Sequence, residues 1–129
     1  MKTGEILPPV ELEVQPEWLH YYYQAVGSSY PASNNSAVPA TAIAGKALME
    51  LLEPLNLPSG VVHTQAVVES ISPANIGDKL FCEGVITSVV KRIGIEAMTV
   101  RITVKSSNYR DLLKAEMTFK LPGQQAEQG

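Results

Sequence analysis

Between residues 95 and 106 the chain alternates, with Met98, Val100, Ile102 and Val104 apolar and Thr99, Arg101, Thr103 and Lys105 polar. A period of two sends each set to one face of an extended strand. Runs of similar length, rich in β-branched residues, lie at 61–71, 79–90 and 111–121, and the breakers Pro73, Gly77-Asp78, Gly94 and Asn108-Tyr109-Arg110 separate them. These spacings predict four strands in an antiparallel meander. A sheet with one apolar face has to bury that face on another element.

The first sixty residues read differently, with helix, turn and proline signals that end at Leu57-Pro58-Ser59-Gly60. Pro16 and Glu17 suit the first turn of a helix over 16–26, which Gly27 ends. Gly27 to Ser36 is turn chemistry throughout, and reads as an ordered loop or lid. Pro39 opens a second helix over 41–52 and Pro54 stops it; its first two turns are Ala and Gly, its last two Leu and Met. Small side chains there predict a close approach by the sheet, with Gly45 as a point of tight packing. The expected architecture is α+β, a long antiparallel sheet wrapped around one central helix. Residues 1–122 form a single domain in this reading, and 123–129 a mobile tail.

The chain has 129 residues, of which 45% are hydrophobic, which is enough for a core without a metal or a disulfide. Its net charge of −3 and the lack of a basic run make nucleic acid and anionic membrane poor partners. One cysteine and two histidines build neither an internal disulfide nor an ordinary closed zinc site. Cys82 is expected inside or half-buried on its strand. The glutamates and prolines of the first fourteen residues do not suit a signal peptide, and a cytoplasmic location is expected.

The order of these elements, with several local motifs, resembles the hotdog fold and more narrowly the MaoC-like dehydratases, which include (R)-specific enoyl-CoA hydratases. The opening Gly4-Glu5-Ile6-Leu7-Pro8, the aromatic Tyr21-Tyr22-Tyr23-Gln24-Ala25-Val26-Gly27, Leu57-Pro58, and Ile71-Ser72-Pro73-Ala74-Asn75-Ile76-Gly77-Asp78 carry the likeness. At the active-site loop the family has Gly-Asp-x-Asn-Pro-x-His, whose Asp and His activate water. Here the matching segment is Gly27-Ser28-Ser29-Tyr30-Pro31-Ala32-Ser33. Ser28 and Ser33 hold the places of the dyad, and serine has no basic group near neutral pH.

The resemblance further implies a thioester carbonyl held by backbone amides at the start of the central helix, around Pro39, Ala40 and Thr41, with Tyr30 and Asn34 on the binding surface. The implied ligand is an acyl thioester. Coenzyme A or acyl carrier protein would enter as part of that substrate, and no other cofactor is expected. A homodimer, or a heterodimer with a catalytic hotdog chain, would close the groove. Three functions compete: a dyad-less subunit of a hydratase or dehydratase, a thioesterase using another carboxylate such as Glu50 or Glu53, and a non-catalytic acyl-CoA-binding module. His63 is a weaker catalytic candidate, placed where it could face a second copy; a hydrogen-bonded strand histidine is the plainer alternative. His20, among tyrosines, reads as a packing residue.

Overall fold

The computed structural model describes residues 2–17, 38–57 and 61–122. Five strands and one α-helix are found there: β1 (Ile6–Glu13), α1 (Ala40–Leu52), β2 (Val62–Ser70), β3 (Lys79–Arg92), β4 (Ile95–Ser106) and β5 (Asp111–Pro122). A single 3₁₀ turn, Glu53–Leu55, follows α1 at Pro54. Pro16 and Glu17 have helical backbone as expected. The rest of that helix, the loop at 27–36 and the tail at 123–129 lie outside the described residues.

Every strand pairing is antiparallel, in the order β1-β3-β4-β5-β2. The expected four-strand meander is therefore corrected in two respects. Only β3, β4 and β5 follow one another as neighbours, because β2 pairs with β5 at the far edge and the eight residues from Ile71 to Asp78 cross between them. The second correction is β1, a fifth strand that the proline pair Pro8-Pro9 hides from a strand reading. Proline has no amide hydrogen to give a ladder, and the β1–β3 register shifts between Leu7 and Val10, where the prolines sit. An edge strand tolerates this, since one of its sides has no ladder to break.

The inward faces of β3, β4 and β5 build the core together with α1, which contacts all five strands. Met98, Val100, Ile102 and Val104 are fully buried, as their alternation requires. On the helix the alanine face is buried at Ala42, Ala44 and Ala47, with Ile43, Leu48 and Leu51 filling the remaining space. Small residues at the N-terminal half and leucines at the C-terminal half let one helix fit a curved sheet.

The point of closest approach lies on the sheet and not on the helix. A Cβ at Gly84 of β3 would stand 3.1 Å from Leu51 Cδ1 and 3.2 Å from Leu7 Cδ1. A Cβ at Gly45, by contrast, would meet nothing within 4 Å among the described residues. The expectation of tight packing at Gly45 is thus overturned: this glycine points away from the sheet. Gly84→Val is expected to destabilise the protein by about 1–3 kcal/mol through overpacking. Gly45→Ala should be neutral or stabilising by up to about 1 kcal/mol, because alanine is the better helix former. Urea unfolding of the two variants measures both signs.

Candidate functional site

The N-terminus of α1 is the most defined piece of the expected binding surface. Just before it, Val38 forms an isolated antiparallel bridge with Ala74, and the Val38 N–H donates to the Ala74 carbonyl at 2.8 Å. That bond ties the helix start to the connection between β2 and β3. The connection is itself fixed by a Gly-Asp turn: Gly77 takes φ +95°, the Asn75 N–H donates to Asp78 Oδ2 at 2.9 Å, and the Gly77 N–H donates to the Val14 carbonyl at 2.8 Å. A glycine suits that backbone because side chains crowd the left-handed region.

Pro39 is the N-cap, with no side-chain capping bond. Its carbonyl accepts both the Ala42 N–H at 3.1 Å and the Ile43 N–H at 3.3 Å. The amide of Ala40, at the first helical position, has no acceptor within the helix itself. Ala40 is half-buried and Thr41 exposed, and the positive end of the helix dipole favours developing negative charge beside them. Pro39, Ala40 and Thr41 are thus brought together. Ser28, Tyr30, Ser33 and Asn34, like His20, lie outside the described residues.

His63 lies on the edge strand β2, with Phe119 of β5 as its Cα partner, immediately before a register shift. Glu50 and Glu53 sit at the opposite end of α1 from its N-terminus. They share a shallow cavity of about 400 Å³ with Met49, Leu52, Asn56 and Leu57, and Glu50 is ion-paired to Lys46 at 3.2 Å, one helical turn back.

Cys82 is fully buried on β3, at the expected inward position. Burial, and to a lesser degree the Glu50 carboxylate, pushes its thiol up to about 12. A thiol so far above neutrality supplies almost no thiolate and is no nucleophile.

A residue that sequence reasoning passed over is Glu96. It occupies an inward position of β4 in the same series as Met98 and Val100, it is only 6% exposed, and Lys91 Nζ stands 3.7 Å from its Oε2. The signal was a charge in an otherwise apolar alternation. Glu96 pairs with Leu121 near the end of β5 and lies at the end of β4 away from Ser106, whereas α1 begins beside the connection that leads into Lys79. This carboxylate therefore belongs to the opposite end of the sheet from the helix N-terminus.

Comparison with solved structures settles the fold. The (R)-hydratase from A. caviae involved in PHA biosynthesis superposes with a TM-score of 0.70 at 14% identity, over 95% of this chain and 98% of that one. The fold is the hotdog fold. A second hotdog neighbour, the HadBC (3R-hydroxyacyl-ACP dehydratase) complex from Mycobacterium tuberculosis, gives 0.67 at 20% identity over 92% of this chain and 96% of that one. A Streptococcus mutans protein bound to acetyl CoA gives 0.63 at 17% identity, over 95% and 86% respectively. No family model matches the sequence, and no curated protein matches it either. No helix among the described residues is long and apolar enough to cross a membrane. No metal-ligating cluster occurs among them.

The buried thiol carries a test. Its folded-state pKa lies above the ordinary value of 9.0, so the folded protein holds the proton more tightly than the unfolded chain. The corresponding stability is complete below about pH 9 and is lost as pH rises toward 12. At pH 8 a disulfide reagent should label native Cys82 at least about 100-fold more slowly than the urea-unfolded chain. The pH dependence of stability should flatten over pH 9–12 in Cys82→Ala relative to wild type, as urea midpoints would record.

Proposed function

We propose that this hotdog chain binds acyl thioesters at the N-terminus of α1 and lacks the acid–base pair needed to hydrate them, serving as a subunit or paralogue of an enoyl-CoA hydratase or 3-hydroxyacyl dehydratase. One combination carries this reading: the helix N-terminus at Pro39 and Ala40 is built and anchored, while serine stands at positions 28 and 33. A backbone amide polarises a thioester carbonyl whatever side chain it carries. Drawing a proton from water needs a basic side chain, and two hydroxyls do not provide one.

The edge strand β2 supports a second hotdog chain as partner. Its residues Thr64 to Val67 are exposed, Val67 by 58%, and only β5 pairs with it among the described residues. An unpaired strand edge with apolar side chains is a ready template for another strand. The HadBC neighbour is itself a complex, which fits this arrangement. The chain should therefore run as a dimer or larger species at micromolar concentration in light scattering, and a monomer would argue against a closed groove.

A crotonyl-CoA hydration assay tests the catalytic half of the proposal. The pure chain should show no turnover above background, since each positioned acid or base contributes about 10²–10⁴-fold. Co-expression with a hotdog chain that carries the Asp and His should give activity. The double variant S28D/S33H should gain measurable hydration by itself, and robust turnover by the unaltered chain would refute the assignment. A second reading rests on the cavity shared by Glu50 and Glu53, where a carboxylate would promote thioester hydrolysis. Release of free coenzyme A that is lost in Glu50→Gln would favour it.

A further inference from the structure

A cavity of about 390 Å³ lies at the end of the sheet where β3 and β5 begin and β4 ends. Leu80 and Leu112 form its buried floor, while Ser72, Lys79, Asn108 and Arg110 are among the polar groups of its wall. Of the eight cations outside it, five are held in ion pairs, while Lys2, Arg92 and Lys120 are in none among the described residues. Lys46, Lys91, Arg101, Lys105 and Lys114 each have a carboxylate within 4.0 Å. No ion pair among the described residues involves Lys79 or Arg110, and both line this one cavity in a chain whose net charge is −3. One carboxylate, that of Asp78, is also on the wall, and it accepts the Asn75 amide; Glu13 lies opposite Lys79 in the β1–β3 register.

The turn that carries Arg110 is held in a single shape. Ser106 and Arg110 close it with the Ser106 N–H donating to the Arg110 carbonyl at 2.9 Å and the Arg110 N–H donating to Ser106 Oγ at 3.2 Å. Tyr109 sits at φ +61°, an unfavourable backbone for a bulky residue, and its ring stacks on Phe81 with centroids 5.7 Å apart. Strain that the surroundings maintain in this way is concentrated at ligand clamps and other working sites. The opposite wall, Ser72-Pro73, belongs to the connection whose Ala74 anchors the start of α1.

We infer that this cavity binds a phosphate or diphosphate group, held between Arg110 and Lys79 with hydroxyl and amide donors around it. A guanidinium matches phosphate geometry with two parallel bonds, and a lysine adds a point charge. The inference deepens the acyl-thioester reading and rests on it in one respect only, that the phosphate would belong to the tail of the thioester carrier. Free coenzyme A and 4′-phosphopantetheine both offer that chemistry.

The test is an amide-resolved NMR titration of the full chain with inorganic pyrophosphate, pantetheine, 4′-phosphopantetheine and coenzyme A. Pyrophosphate should shift the amides of residues 106–110 and Lys79 saturably, more weakly as salt rises from about 20 to about 200 mM. Arg110→Gln and Lys79→Gln, both at exposed positions, should each weaken it about fivefold or more, and Arg101→Gln should not. Coenzyme A binding more tightly than 4′-phosphopantetheine would assign the site to the diphosphate, and equal binding to the single phosphate; either supports the inference provided pantetheine is weaker. No pyrophosphate shift at 106–110, or a shift unchanged in both variants, would overturn it. Acyl-pantetheine binding without a pyrophosphate response removes this site and leaves the thioester reading intact. A pyrophosphate response with no thioester binding does the reverse.

Discussion

The contact of Leu51 and Leu7 with the bare backbone of Gly84 sets how near the helix and the sheet lie. Both leucines are fully buried, each contributing about 1.5–3 kcal/mol relative to an exposed position. The spacing at that point propagates outward. With α1 drawn onto β3, the alanines at 42, 44 and 47 have room to be buried without a cavity, and β1 is brought in against the helix through Leu7. The helix N-terminus is then located by two constraints, the packing at Gly84 and the Val38–Ala74 bridge. The backbone amides proposed to polarise a carbonyl are thus positioned by the same packing that stabilises the core.

Much of this was legible in the sequence, for identifiable reasons. Strands β3, β4 and β5 were readable because each buries one face, and burial on one face imposes a period of two. Helix α1 was readable because Pro39 and Pro54 bracket it. The place of β2 was not, since a local pattern carries no information on which neighbour a strand chooses. Strand β1 was masked by two prolines that an edge accepts and an interior does not. Gly45 and Gly84 illustrate the same point: both are glycines in apolar surroundings, yet only the second occupies an inward place in the series Leu80, Cys82, Gly84, Ile86. The period of the host strand held that distinction.

The candidate site was legible to a different degree. The helix start could be located because proline signals are local, and α1 begins at Ala40 directly after Pro39. Glu96 was overlooked although its position in the apolar series of β4 betrayed it. Arg110 and Lys79 carry no local signal, since cations at strand ends are common. Thirty residues lie between them in sequence, and only the pairing of β3, β4 and β5 brings them to one wall.

The prolines of β1 also bear on how such chains assemble. Among the described residues the sheet has two margins, and they are chemically unequal. Pro8 and Pro9 interrupt the supply of amide donors along β1, while the β2 margin holds no proline. Growth into a fibre requires that every added sheet offer a fresh template on its far side, and a margin interrupted by proline offers a poor one. Two copies joined at their β2 margins would present only proline-bearing borders to the solvent. Addition of strands would then stop at a pair, giving a closed assembly whose size is limited by covalent chemistry at residues 8 and 9.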